Sequence, residues 1–143
     1  MMKASFAEVL ALEAAALAAV SDAEGLNRWR IELLRMATTG ESAYARVLQP
    51  TEDLRDRARF LESWSDLIAA ALARVADSAS SSRRINAEQM AVSVVAALYG
   101  GAALSRVARE PAPLHISVGL ALAPLLPAEE DPSRSSKTGL SVQ

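Results

Sequence analysis

Residues 86–126, NAEQMAVSVVAALYGGAALSRVAREPAPLHISVGLALAPLL, decide the fold. Asn86 with Gln89 three residues on forms a capping box, which launches an apolar helix through Gly100 and Gly101. The helix should stop near Arg109, because Glu110 precedes Pro111 and is pushed out of helical geometry. Pro113 fits the first turn of a second apolar helix, which Pro124 and Pro127 terminate. A helix that is hydrophobic all round is buried on every side, and the glycine pair removes side chains where another backbone could come close. Two such helices need more cover than a short chain readily supplies, so the segment reads as an assembly surface.

The rest of the chain supports a helical reading. Its 143 residues make one domain, with 51% hydrophobic residues but only 4% aromatic ones. A core of Ala, Leu and Val nearly free of β-branched runs favours close helix packing, hence an all-α protein. The formal charge of −2 supplies no positive field to hold a polyanion. Cysteine is absent, which removes disulfides and thiolate chemistry. The N-terminal stretch superficially resembles a signal peptide, but Glu8 and Glu13 interrupt its apolar segment. The charge-free run Met90–Ser105 is shorter than the roughly 20 residues that cross a bilayer, so a cytoplasmic protein is expected.

Ser5 with Glu8 forms a first capping box, opening a helix to about Val20 whose apolar face is Phe6, Val9, Leu10, Leu17 and Val20. A cap at Ser21 or Asp22 starts a second helix, in which Leu26, Trp29, Leu33 and Met36 recur at spacings of three and four. Thr38, Thr39 and Gly40 end it, Gly40 suiting a left-handed position. A short helical turn follows at Tyr44–Leu48. Thr51 caps the longest helix, about 52–77, with Leu54, Ala58, Leu61, Ile68, Leu72 and Val75 apolar and Phe60, Trp64 and Leu67 alongside. Its other face, with Arg55, Arg59, Glu62 and Asp66, is solvated. Residues 78–84 read as a flexible loop and residues 128–143 as a disordered polar tail. The expectation is a bundle of about five main helices over residues 1–127, orthogonal or antiparallel.

Little of the chain points to catalysis. His115 is the only histidine and offers no converging metal ligands. No serine lies in a sharp glycine-flanked turn, and no glycine-rich phosphate loop is present. Glu8 and Glu13 read as a solvated helix edge, where raised acidity constants are not expected. Arg55, Arg57, Arg59, Arg83 and Arg84 are the only basic concentrations, with no recognition helix before them. Trp29, Tyr44, Phe60, Trp64 and Tyr99 cluster in the central helices, either as core or as walls of a ligand cavity between helices, with Met36 and Met90 as adaptable lining. Arg28, Arg30 or Tyr44 could supply a polar anchor there.

Three stretches carry a family resemblance: EGLNRWRIELLRMA, LRDRARFLESWSDLIAAALARV and MAVSVVAALYGGAALSRVAREPAPL. Together, over roughly Phe6 to Leu126, they resemble the C-terminal regulatory domain of TetR-type transcription regulators. The resemblance implies that the last two helices pair with those of a second subunit as a four-helix dimer interface, and that the preceding helices enclose a small-molecule cavity. By position, Val94, Val95, Leu98, Gly101, Leu114, Val118 and Leu122 would lie at the interface, and Trp29, Met36, Tyr44, Phe60 and Trp64 near the cavity. It further implies a homodimer sensing a small hydrophobic effector without cofactor, metal or membrane. DNA contact would come only through an N-terminal helix-turn-helix domain, which this sequence does not contain. The alternative is a stand-alone helical interaction module without a ligand, able to pair with a full-length regulator.

Overall fold

The computed structural model describes residues 4–49, 54–78 and 85–127. Among them are six α-helices, a closing 3₁₀ turn and no strand. In chain order the helices are α1 (Ala4–Ala18), α2 (Ala23–Ala37), α3 (Ala43–Val47), α4 (Leu54–Ser78), α5 (Ala87–Ala108) and α6 (Ala112–Leu122), with the 3₁₀ turn at Ala123–Leu125. Five long helices and one short turn thus match the all-α expectation.

Their ends have local causes. Asp22, not Ser21, caps α2 by accepting the Gly25 amide at 2.7 Å, Ser42 caps α3, and Asn86 caps α5 by accepting the Gln89 amide at 3.0 Å. Each satisfies an amide that the first turn leaves unpaired. Ser5 is no cap: it lies inside α1, and its hydroxyl accepts from Arg46. Gly40 is not left-handed. Instead the Thr38 and Thr39 hydroxyls donate to the Leu34 and Arg35 carbonyls and close α2. The left-handed residue is Arg109, at φ 59°, which ends α5 and turns the chain into Pro111 and α6.

α4 is the central support, packing against α1 on one side and α5 on the other. Phe60, Trp64, Ile68, Ala71, Leu72 and Val75 form its buried face, while Leu54 and Ala58, expected there, are exposed. Phe6 stacks on Phe60 at 4.7 Å between centroids, and Phe60 touches Trp64 at 5.2 Å. The Arg74 guanidinium reaches from α4 to the carbonyls of Leu17 and Val20, at 2.6 and 3.1 Å. A cation there complements the negative end of the α1 dipole.

α5 and α6 form a tight antiparallel pair. Ser105 accepts the Leu114 amide and Ser117 donates to the Ala97 carbonyl, each at 3.1 Å. Gly101 lies at the crossing, where a Cβ would stand 2.8 Å from the Leu114 Cα and against the Ser117 hydroxyl. Gly100 faces open space. At 22 residues, α5 is long and apolar enough to cross a membrane, which the charge-free run alone did not suggest. Its Ala91, Val94, Val95, Leu98, Gly101 and Ala102 are nonetheless buried in this bundle. Residues 128–143, Thr51, Arg83 and Arg84, each given a role above, lie outside the described residues.

Candidate functional site

The least expected residue is Glu13. Phe6, Val9 and Leu17 form the buried face of α1, and Glu13 sits on that same stripe four residues after Val9 and four before Leu17. It is 2% exposed, so its reading as part of a solvated edge is corrected; Glu8 does face solvent, near Arg46. Three aromatic groups from three other helices converge on the carboxylate. Trp64 Nε1 on α4 donates to Oε1 at 2.7 Å, and Tyr44 OH on α3 donates to Oε2 at 2.9 Å. Trp29 Nε1 on α2 is shared between the two oxygens at 3.3 Å from each.

All three partners are neutral donors. Among the described residues, no ion pair reaches Glu13. Burial pushes the Glu13 carboxyl above its ordinary value, and the bonds from Trp64, Tyr44 and Trp29 only partly offset this, since removal from water disfavours the charged form. The Tyr44 phenol is pushed well up by its own burial and then by the Glu13 charge, which keeps it a donor.

Because Glu13 holds its proton more tightly folded than unfolded, its contribution to stability is complete below 4.5 and is lost as pH rises through the folded value. Wild-type stability should therefore fall relative to Glu13→Gln as pH is raised from 4.5 into the neutral range, read as urea midpoints of both chains. Parallel profiles would show that Glu13 titrates as an ordinary exposed carboxyl.

Beside this cluster a cavity of about 260 Å³ opens between α1, α2 and α3. Glu13, Ala16, Ala19 and Val20 form one wall, Gly25, Trp29, Leu33 and Met36 another, and Tyr44 an end, with Arg28 and Glu32 also lining it. Arg28 and Glu32 are exposed. The walls are mainly apolar, with one buried acid among them, which is the composition of a ligand site. A larger hollow of about 850 Å³ between α2 and α6 is lined by Ile116 and Leu120. Those two residues are 61% and 71% exposed, so that hollow is a surface feature without a comparable buried polar centre.

Of the five residues read as ligand-binding, the structure brings Trp29, Met36 and Tyr44 to the cavity. Trp64 lies behind it, fully buried, and acts on it through Glu13. Phe60 is fully buried between Phe6 and Trp64. Arg30 is held by Asn27, with Nη2 2.7 Å from its Oδ1. Among the described residues no three metal-ligating side chains converge, and His115 is exposed on α6.

The residues assigned to an inter-subunit interface have a different place. Val94, Val95, Leu98, Gly101, Leu114, Val118 and Leu122 are all buried within this one chain, and Gly101 serves the α5–α6 crossing. The apolar residues left outside are others. On α5, Val92, Ala96, Gly100, Leu104 and Val107 are exposed at spacings of three and four, and on α6 Ile116 and Leu120. Periodicity marked both helices as apolar without saying which stripe faced inward.

Neither family models nor characterised proteins nor solved structures match this chain.

Proposed function

We propose that this chain is a ligand-binding and dimerisation domain of the TetR regulatory type, acting in the cytoplasm by ligand-linked population shift rather than by chemistry. The observation that carries the reading is the cavity between α1, α2 and α3, with Trp29, Met36 and Tyr44 in its walls and Glu13 beside them. A small, largely apolar effector in that space touches three helices at once. Its binding therefore favours one arrangement of α1, α2 and α3 over others, and α4 and α6, which pack against α1 and α2, feel the change. DNA contact would belong to a separate helix-turn-helix domain.

A panel of small apolar molecules tests this by thermal stabilisation. A ligand that binds only the folded chain raises its melting temperature, the stabilisation growing with the logarithm of concentration over Kd. At least one compound is expected to do so, with the shift reduced in Met36→Trp, which fills the cavity. A flat response across the panel would remove the effector.

The second reading, a helical dimerisation module without ligand, is favoured by the outer stripe of α5 and α6. Val92, Leu104, Val107, Ile116 and Leu120 are between 61% and 84% exposed, an uncharged surface of the kind that marks interfaces. A homodimer built on this stripe would keep Leu98 and Val118 in each protomer's own core. Light scattering should then give twice the 15.1 kDa chain mass, reduced to one chain by Leu104→Glu. A monomeric wild type would discard the stripe as a self-association surface.

A further inference from the structure

We propose that the cavity beside Glu13 takes a small apolar cation, an aryl- or alkylammonium, whose nitrogen supplies the positive charge that no described side chain places against the Glu13 carboxylate. This inference rests on the effector reading above and names the chemistry of the ligand.

The first support is the missing counter-charge. Buried charges in proteins are paired or neutralised. Glu13 is 2% exposed and receives only neutral donors, from Trp29, Tyr44 and Trp64. Glu8 and Glu32, by contrast, are exposed and ion-paired, with Arg46 and Arg35. The second support is position, because Glu13 lines the cavity as well as closing the aromatic cluster. The third is the wall itself: Trp29 and Tyr44 are aromatic, and a cation over an aromatic face is held most strongly where water is excluded. Size completes the description. The cavity, about 260 Å³, lies just below the roughly 300–1,000 Å³ of typical drug-sized sites; of its charged lining, Arg28 and the Arg35-paired Glu32 are exposed, so Glu13 is the charge a ligand meets in the buried part.

Binding draws on the protonation state of Glu13. Burial raises its pKa, and an ammonium beside it favours the ionised form, so the cation gains affinity as Glu13 loses its proton. The other charged or titratable groups around the site are Tyr44 on α3 and Arg28 and Glu32 on α2, while α4 presents the neutral indole of Trp64. Tyr44 is shifted upward and Glu32 downward by Arg35, and arginine does not titrate in proteins. Glu13, whose pKa burial raises, is thus the group whose ionisation the bound cation couples to.

Isothermal calorimetry on the full chain with three near-isosteric probes tests the assignment: 2-phenylethylammonium, 2-phenylethanol and phenylacetate. The ammonium should bind about tenfold or more tightly than the alcohol, the margin of a charge-assisted hydrogen bond, and phenylacetate most weakly. Glu13→Gln should abolish the preference while leaving the alcohol bound. In wild type, the ammonium affinity should rise with pH while that of the alcohol stays level, a readout that survives if Glu13→Gln fails to fold. Equal binding of ammonium and alcohol, tighter binding of phenylacetate, or a level ammonium profile would overturn the charge assignment and leave the effector cavity standing. Binding by none of the three would overturn the assignment, and with a flat thermal panel would remove the cavity reading too.

Discussion

Gly101→Leu should cost the chain about 3 kcal/mol or more, a large share of the roughly 5–15 kcal/mol that stabilises an ordinary domain. The reason is backbone, not side chain. A Cβ at position 101 would meet the Leu114 Cα at 2.8 Å as well as the Ser117 hydroxyl; a hydroxyl can rotate aside, whereas a main-chain carbon moves only with α6. That movement would also break the Ser117 bond to Ala97 and the Ser105 bond to Leu114. The neighbouring residue provides the control. Gly100 has nothing within 4 Å of its Cβ direction, so Gly100→Ala should gain about 0.5–1 kcal/mol from helix propensity alone. Urea unfolding followed by circular dichroism reads both. If the two substitutions shift the midpoint alike, α5 and α6 do not approach as closely as described.

Glu13→Ala is the second large effect. It removes the acceptor of Trp29, Tyr44 and Trp64 together, and each buried donor left unpaired costs about 1–3 kcal/mol. The vacated volume adds to the loss, so a total near 3–5 kcal/mol is expected, in the range of breaking a buried polar network. Glu13→Gln keeps one oxygen acceptor but presents an amide donor to donors already there, and should fall between wild type and alanine. Denaturant midpoints rank the three chains, and near-ultraviolet circular dichroism of Trp29 and Trp64 shows whether the aromatic packing goes with them. An alanine variant as stable as wild type would mean that water replaces the carboxylate and that the site is wetter than its burial implies.

Helix existence was legible in the sequence, because the caps at Asp22 and Asn86 and the proline turn after Arg109 each act within a few residues. Whether an aromatic lines the cavity or fills the core was not legible: Trp29, Met36 and Tyr44 line it, while Phe60 and Trp64, placed beside them by the family resemblance, are core. Glu13 was misread for a specific reason. Its charge argued for water, while its spacing from Val9 and Leu17 argued for the core; three donors from elements 16, 31 and 51 residues away settled the conflict, and no local pattern announces partners at that distance. The α5–α6 stripes failed differently. With apolar residues on every side, periodicity has no phase to read, and only the position of Leu114 against Gly101 fixes which face turns inward. Gly40 yielded to Thr38 and Thr39, whose hydroxyls closed α2 without a left-handed residue.

The Glu13 carboxylate belongs to α1 but is bonded from α2, α3 and α4, so a single two-oxygen group is the junction of the first four helices. Fraying α1 withdraws that acceptor and strands the donors of the other three in an apolar interior, which couples their local openings to that of α1. The α5–α6 hairpin is stitched to itself by Ser105, Ser117 and the Gly101 contact, has no bond to Glu13, and joins the rest by packing on α4 and by the Tyr99 hydroxyl, which donates to the Val47 carbonyl at 2.6 Å. Amide protons of α1 to α4 should therefore exchange together in an opening set by Glu13, at a rate distinct from that of the hairpin.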